Sequence, residues 1–146
     1  MAQPVRLGWR EWLALPDLGI VAMRVKVDTG ARTSALHVEF QESFHRDGAE
    51  WVRFALATGV PGLGDSLAEA PVLDRRRVTD SGGHGSERIF IRTTLCLAGQ
   101  RWEAELNLTH RRELLFPMLL GRTALAGRFV VDPAASFLHG QEPPLP

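Results

Sequence analysis

The amino-acid sequence predicts an all-β protein of one domain, in the form of a small barrel or sandwich. Its 146 residues fall within the usual size of a single domain. Apolar and polar residues alternate with a period of two along much of the chain, as in strands that are buried on one face. Glycine and proline interrupt these stretches at short intervals. This spacing favours a barrel or sandwich over a parallel α/β sheet.

The alternating segments define the predicted strands in order. They are residues 23–27, 36–40, 52–56, 89–93, 102–108 and the short apolar segment 118–120. The turn signal Ala98-Gly99-Gln100 joins two of these segments, which predicts a hairpin. Residues 122–126 have helix-favouring composition and are closed by Gly127, so we expect one short helix near the C-terminus.

The remaining segments are predicted to be irregular. Residues 58–66 and 80–86 are rich in glycine and are predicted to be loops with freedom to move. Residues 141–146 contain three prolines, which predicts a frayed tail. We therefore expect one folded domain over residues 1–140 and an irregular C-terminal tail over residues 141–146.

Composition excludes several classes of partner. Lys plus Arg and Asp plus Glu both number 17, so no overall positive field would hold nucleic acid or an anionic membrane. Cys96 is the single cysteine, which excludes an internal disulfide, and its apolar surroundings favour a buried structural thiol. No apolar run approaches the roughly 20 residues of a membrane span, and the first residues lack the hydrophobic segment of a signal peptide. We expect a cytoplasmic protein.

The motif that carries chemistry is Asp28-Thr29-Gly30, which follows directly on a predicted strand. It places a carboxylate where a strand meets a tight turn that Gly30 allows, and Thr29 can hold the backbone there with its hydroxyl group. Aspartic peptidases use two carboxylates that share one proton and hold a water between them. The three residues are also common in ordinary turns, so the tripeptide alone leaves that alternative open.

Two further segments support the catalytic interpretation. Residues 117–122 place an apolar strand before Gly121 and Arg122, as in the segment that packs behind the catalytic turn of retropepsins. Residues 78–85 resemble a hairpin with a glycine-rich tip, the kind of lid that closes over an extended peptide. Gly82, Gly83 and His84 at this tip are therefore candidates for substrate contact; an ordinary surface hairpin is the alternative.

Over most of its length the chain resembles the retropepsin-like family whose members are often called putative ATP-dependent zinc proteases. The matching segments are residues 8–12, 15–20, 26–37, 92–95, 117–122 and 129–133. The resemblance implies a closed acid-protease barrel with Asp28, Thr29 and Gly30 at the catalytic turn. In that family the gene often lies near glutamate ligases of the RimK type, which implies a functional link to a peptide-tagging system.

The family's inherited name fits this sequence poorly. It contains no phosphate-binding Gly-x-x-x-x-Gly-Lys-[Ser/Thr] run and no His-Glu-x-x-His zinc motif, so we expect neither ATP nor a metal as cofactor. The five histidines are widely spaced. His37, which lies close after Asp28, would be the first zinc ligand to test, and a metal-dependent hydrolase is the least favoured of the alternatives.

Arg122 departs from the pattern of the viral relatives. There the run that begins Asp-Thr-Gly-Ala continues with an acidic residue that pairs with the arginine of the Gly-Arg segment, whereas here Ala31 is followed by Arg32. Arg32 and Arg122, with Ala31 beside them, could instead bind an acidic substrate or tail. Solvated arginines, or a different ion pair, are the alternative.

These observations predict an aspartic endopeptidase that acts on a peptide or protein substrate. Only one Asp-Thr-Gly is present, so the second carboxylate is expected from a symmetry-related copy, and activity depends on a homodimer. Removal of glutamates from tagged proteins is the suggested role. The alternative is a catalytically silent retropepsin-like module that binds peptides or a partner ligase.

Overall fold

The chain is described by a computed structural model over residues 3–57, 65–79, 82–110 and 116–140. Within these ranges the strands are β1 (Val5–Leu7), β2 (Arg10–Leu15), β3 (Ile20–Val27), β4 (Ser34–Arg46), β5 (Ala49–Ala57), β6 (Asp65–Pro71), β7 (Asp74–Thr79), β8 (Gly85–Leu97), β9 (Gln100–Thr109), β10 (Met118–Leu120) and β11 (Phe129–Val131). A 3-10 helix, Pro16–Leu18, lies between β2 and β3, and the helix α1 (Arg122–Leu125) follows β10. The prediction of an all-β fold with one short helix near the C-terminus is confirmed.

Six strands close into a ring. Along the sheet the order is β10-β3-β2-β8-β9-β4, and β10 pairs with β4 as well as with β3. The pairing of β10 with β3 is parallel, and its pairing with β4 is antiparallel. A closed ring leaves no free edge among its members. The predicted closed barrel of a single domain is therefore confirmed.

Two long strands extend from the barrel as the arms of hairpins. The first residues of β4 pair within the barrel, and its later residues pair with β5, which in turn pairs with β6. β8 pairs with β7 over its first half and with β9 over its second half. Residues of the β7–β8 hairpin and of the barrel strand β9 line the groove described below.

The core follows the alternation in the sequence. The side chains inside the barrel come from every strand of the ring, and these are completely buried: Leu13, Met23, Val25, Leu36, Ile91, Leu95, Leu106, Met118 and Leu120. Each such side chain stabilises the fold by about 1.5–3 kcal/mol relative to an exposed position. Cys96 is also buried, as predicted.

Several boundaries differ from the prediction. Residues 58–64 of the first predicted loop lie outside the described residues, but Asp65 and Ser66 belong to β6 because they pair with β5. In the second predicted loop, residues 80 and 81 lie outside the described residues, whereas Gly85 and Ser86 belong to β8. The predicted tail, residues 141–146, also lies outside the described residues, so the domain boundary at residue 140 stays a prediction.

A buried carboxylate that no local sequence pattern predicted fixes the C-terminal segment. Glu11 is fully buried and accepts hydrogen bonds from the backbone N–H groups of Gly8 (2.7 Å), Leu138 (3.1 Å) and His139 (3.4 Å). These contacts hold residues near 138 against the start of β2. None of the helices in the described part of the chain has the length and apolar character to cross a membrane.

Candidate active site

Asp28 lies directly after β3, at the point where the chain turns out of the barrel. Its backbone N–H donates to the Leu120 carbonyl (2.9 Å), and the Gly30 N–H donates to Asp28 Oδ1 (2.9 Å). The Ala31 N–H donates to the Asp28 carbonyl (3.2 Å), which closes the turn. Asp28 is half-buried, whereas Thr29 and Gly30 are exposed. The carboxylate is thus held by one oxygen in a turn at the surface.

β10 packs directly behind this turn. Leu120 of β10 pairs with Val27, the last residue before Asp28, and Leu119 pairs with Ala35 of β4. The Gly121 N–H donates to Ser34 Oγ (3.0 Å). A Cβ atom at Gly121 would lie 2.6 Å from the Thr33 carbonyl carbon and oxygen, so only glycine fits here without movement of the backbone. Residues 117–122, which the sequence predicted to pack behind the Asp28 turn, therefore support it from that side.

Arg122 binds the backbone of the turn. Its Nη1 donates to the carbonyl oxygens of Thr29 (3.0 Å) and Gly30 (3.2 Å), and its own N–H donates to the Ala31 carbonyl (2.8 Å). The arginine expected to lack an acidic partner is therefore engaged by three consecutive carbonyls. Its side chain is exposed, so it also faces the groove described next.

A groove of about 1350 Å³ opens beside Asp28. One side is formed by the Asp28 turn and Arg122, and the other by the β7–β8 hairpin and β9. Trp9 and Phe116, whose rings meet edge to face at 5.8 Å, form part of its wall. The space is large enough for several residues of an extended peptide.

Basic side chains dominate the charged lining of the groove. Seven are basic and three are acidic, which gives a surplus of positive charge: Lys26, Arg32, Arg76, Arg77, Arg88, Arg92 and Arg122, against Asp28, Glu103 and Glu105. Such a surplus attracts anionic groups. In the part of the chain that the structure describes, Lys26, Arg32 and Arg77 have no ion-pair partner.

Arg76 and Arg92 of the groove form ion pairs with carboxylates. Arg76 contacts Asp74 (2.9 Å) and Glu105 (2.7 Å), and the hydrogen bonds that it donates to these two carboxylates raise the pKa of Arg76 above its usual value. Arg92 contacts Glu103 at 3.0 Å. None of these residues was predicted from the sequence to line the site. The run Arg75-Arg76-Arg77 was a visible signal, but its strand has no apolar alternation to indicate which side chains face a site.

The structure brings together most of the site residues that were predicted from the sequence. Asp28, Gly30, Ala31, Arg32 and Arg122 line the groove, and Thr29 completes the turn. Gly82, Gly83 and His84 are exposed at the tip of the β7–β8 hairpin and do not line the groove. Their contact with a substrate stays a prediction, since it requires the hairpin to close.

His37, the first zinc ligand suggested by the sequence, is buried in β4, and its N–H donates to the Pro117 carbonyl (2.8 Å). Within the described ranges, no three His, Cys, Asp or Glu side chains form a group that could hold a metal ion.

Comparison with known proteins points to one family. A family model described as "RimB-like: Retropepsin-like aspartic endopeptidase RimB" matches residues 6–142. The fold resembles the crystal structure of a protein of unknown function from Legionella pneumophila, with a TM-score of 0.77 and 27% identity, over 93% of this chain and 98% of that chain.

Curated relatives carry a different name. The chain is 40% identical over 137 residues to a probable alpha-L-glutamate ligase of Shewanella halifaxensis, and 38% identical over 136 residues to one of Desulfotalea psychrophila. These matches cover 93% and 92% of this chain but only 30% and 29% of the two ligases. The chain thus spans about a third of the length of these relatives, and their name describes proteins that contain much more than the matched segment. By the family match over nearly its whole length, the chain belongs to the RimB-like family of retropepsin-like aspartic endopeptidases.

Proposed function

We propose that the chain is an aspartic endopeptidase that hydrolyses peptide bonds with the Asp28 carboxylates of two copies. The observation that carries this proposal is the fixed Asp28 turn at the side of a groove long enough for a peptide. The Gly30 N–H holds one carboxylate oxygen, which leaves the other to share a proton and a water with the symmetry mate. The exposure of Thr29 and Gly30 favours such close approach of a second copy.

In the proposed reaction the water lies between the two carboxylates. The ionised carboxylate takes a proton from the water while the water oxygen attacks the peptide carbonyl carbon. At the same time the protonated carboxyl group donates a hydrogen bond to the carbonyl oxygen. Collapse of the tetrahedral intermediate breaks the C–N bond, and the leaving nitrogen accepts a proton from a carboxyl group. No cofactor takes part in these steps.

The basic lining of the groove favours acidic substrates, with glutamate-tagged proteins as the suggested class. The names of the curated relatives support a functional link to a glutamate ligase of the RimK type, because the matched segment there is part of a longer probable ligase. A cytoplasmic setting belongs to the same proposal, since a lone buried thiol suits a reducing compartment.

The test compares wild type with Asp28→Asn on acidic and neutral peptide libraries. Asp47→Asn is the matched control, because Asp47 lies in the exposed β4–β5 turn with a φ of 52°, where asparagine is well tolerated. We expect Asp28→Asn to lose cleavage and Asp47→Asn to keep it. Unchanged cleavage by pure Asp28→Asn protein would refute the proposal.

The dimer is tested separately by sedimentation and by mixing. Wild-type subunits mixed with a large excess of Asp28→Asn subunits should lose activity, since mixed dimers contain one aspartate. A strict monomer without cleavage activity would favour the alternative, a catalytically silent module that binds acidic peptides or a partner ligase. In the relatives the matched segment is joined to a longer probable ligase, which favours this alternative over a metal-dependent hydrolase. Peptide binding without cleavage would identify it.

A further inference from the structure

A buried asparagine joins the two sides of the groove. Asn107 is 1% exposed, and its side chain makes three hydrogen bonds. Its Oδ1 accepts from Arg88 Nη1 (3.0 Å), and its Nδ2 donates to the Ser34 carbonyl (3.0 Å) and Thr33 Oγ1 (3.3 Å). Arg88 can only donate and the Ser34 carbonyl can only accept, so both neighbours require the same orientation of the amide.

Asn107 can reach both Arg88 and Ser34 because of its position in the sheet. β9 lies between β8 and β4, and Asn107 pairs with Phe90 on one side and with Ala35 on the other. Arg88 lies in the half of β8 that forms the β7–β8 hairpin, and both Arg88 and Asn107 line the groove. The amide therefore spans from the base of the hairpin to the first residues of β4.

From Ser34 the connection continues to the catalytic turn. Ser34 Oγ accepts a hydrogen bond from the N–H of Gly121. The residue before it, Leu120, accepts the N–H of Asp28 with its carbonyl oxygen. The next two N–H groups along the chain, those of Arg122 and Thr123, donate to the carbonyls of Ala31 and Arg32. A shift of Ser34 would thus be transmitted to both ends of the Asp28 turn.

We propose that Asn107 is a positioning residue for the Asp28 site. Through Ser34 it fixes the segment behind the catalytic turn, and through Arg88 it holds the base of the β7–β8 hairpin at a set distance from that turn. This inference rests on the proposed peptidase function, but its structural part, the link between Asn107 and the turn, has a test of its own.

The kinetic test uses Asn107→Asp, which keeps the size of the side chain. It retains an acceptor for Arg88 and replaces the two N–H donors to Ser34 and Thr33 by an oxygen, which faces the Ser34 carbonyl unfavourably. We expect kcat on an acidic peptide to fall about tenfold or more, with KM changed less than about threefold, because displacement of the catalytic group affects the transition state. Arg88→Met breaks the other half of the link and should mainly raise KM.

A core variant separates positioning from general loss of stability. Ile91→Val removes one methyl group from a fully buried side chain on β8 that does not line the groove. Both variants are assayed well below their melting temperatures. An Ile91→Val protein that keeps full kcat, beside an Asn107→Asp protein that loses it, supports positioning. Asn107→Asp activity within twofold of wild type, or an equal loss in Ile91→Val, would overturn it.

Amide hydrogen exchange gives the readout that does not depend on catalysis. In Asn107→Asp, the amides of Asp28, Gly30 and Gly121 should exchange about tenfold faster or more than in wild type, while those of β5 should not change. If wild type cleaves no peptide, the proposed function fails, and this measurement alone decides the positioning link. Unchanged exchange at the three amides contradicts the link whatever the activity.

Discussion

Replacing Gly121 with alanine would place a methyl carbon in space that the backbone of Ala31 and Thr33 already occupies. The new Cβ would lie 2.6 Å from the carbonyl carbon and oxygen of Thr33 and 3.0 Å from the Ala31 carbonyl oxygen. Gly121 itself is extended, with φ −93° and ψ 177°, so alanine is compatible with its backbone angles. The penalty therefore comes from lack of space alone.

The magnitude follows from these contacts. Inserting a methyl group into packed surroundings typically costs about 1–3 kcal/mol, and the loss of freedom in the unfolded chain offsets about 0.4–1 kcal/mol of that. Because the blocking atoms are all backbone, we expect a net loss of about 2 kcal/mol, or about 4–8 °C in the melting temperature. To reach an ordinary contact, the distance between the new Cβ and the Thr33 carbonyl group must increase from 2.6 Å to 3.4 Å, so the backbone must move by about 0.8 Å. Displacement on this scale can lower kcat/KM about a hundredfold.

The assay pairs thermal unfolding with kcat/KM on an acidic peptide. Gly85→Ala is the control, because a Cβ there would meet only the side-chain end of Arg77, at 2.7–3.0 Å, and that flexible group can move aside. Its melting temperature should change by less than about 2 °C, as for most surface substitutions. A Gly121→Ala protein that melts within about 1 °C of wild type, or no more unstable than Gly85→Ala, would refute the reasoning.

Two further outcomes concern carboxylates away from the groove. Glu11→Gln should lower the free energy of unfolding by about 1–3 kcal/mol, because an amide NH₂ group replaces one of the oxygens that accept the N–H groups of Gly8 and Leu138. Denaturant titration measures this change, with the exposed-site variant Glu39→Gln as the control. Equal stability of the Glu11→Gln and Glu39→Gln proteins would contradict the prediction. The hydrogen bonds from Arg75 hold the pKa of Glu50 below its usual value of 4.5. A carboxyl whose folded-state pKa is lowered stabilises the fold above the unfolded-state pKa, and this stabilisation is lost as the pH falls through the folded-state pKa. We expect the melting temperature to fall below about pH 4.5, with a slightly smaller fall in Glu50→Gln, and an identical acid profile for the two proteins would count against this account.

The sequence predicted every strand of the barrel except β2, and for the longer strands the signal was an alternation that reflects burial on one face. It also did not predict β7, because residues Asp74–Thr79 are mostly polar and so carry no apolar alternation, although Arg76 and Val78 on one face are half-buried. β2 was missed for a different reason. Its fully buried Glu11 interrupts the apolar pattern, and that burial depends on N–H groups near residue 138, which no local pattern reveals.

The Asp28 turn was predictable because its geometry is local. The bond between Gly30 and Asp28 Oδ1 joins residues two apart, and the turn residues themselves indicate it. Asn107 could not be found in this way. Strand alternation would place it opposite the buried Leu106 and Leu108, whereas the structure buries all three. Its partners Thr33 and Ser34 lie 74 and 73 positions away, and they meet it only because β4 and β9 pair in parallel.

The structural role of Arg122 is compatible with the substrate-binding role proposed for the same side chain. The acidic partner implied by the viral pattern would have neutralised its charge, but carbonyl oxygens accept its hydrogen bonds without doing so. The guanidinium is therefore held in place by Thr29 and Gly30 while its full positive charge still faces the groove beside Arg32. The loss of the acidic partner thus leaves the turn supported and makes the groove more attractive to anions. An acidic peptide would meet a cation that is already fixed, so little side-chain freedom would be lost on binding.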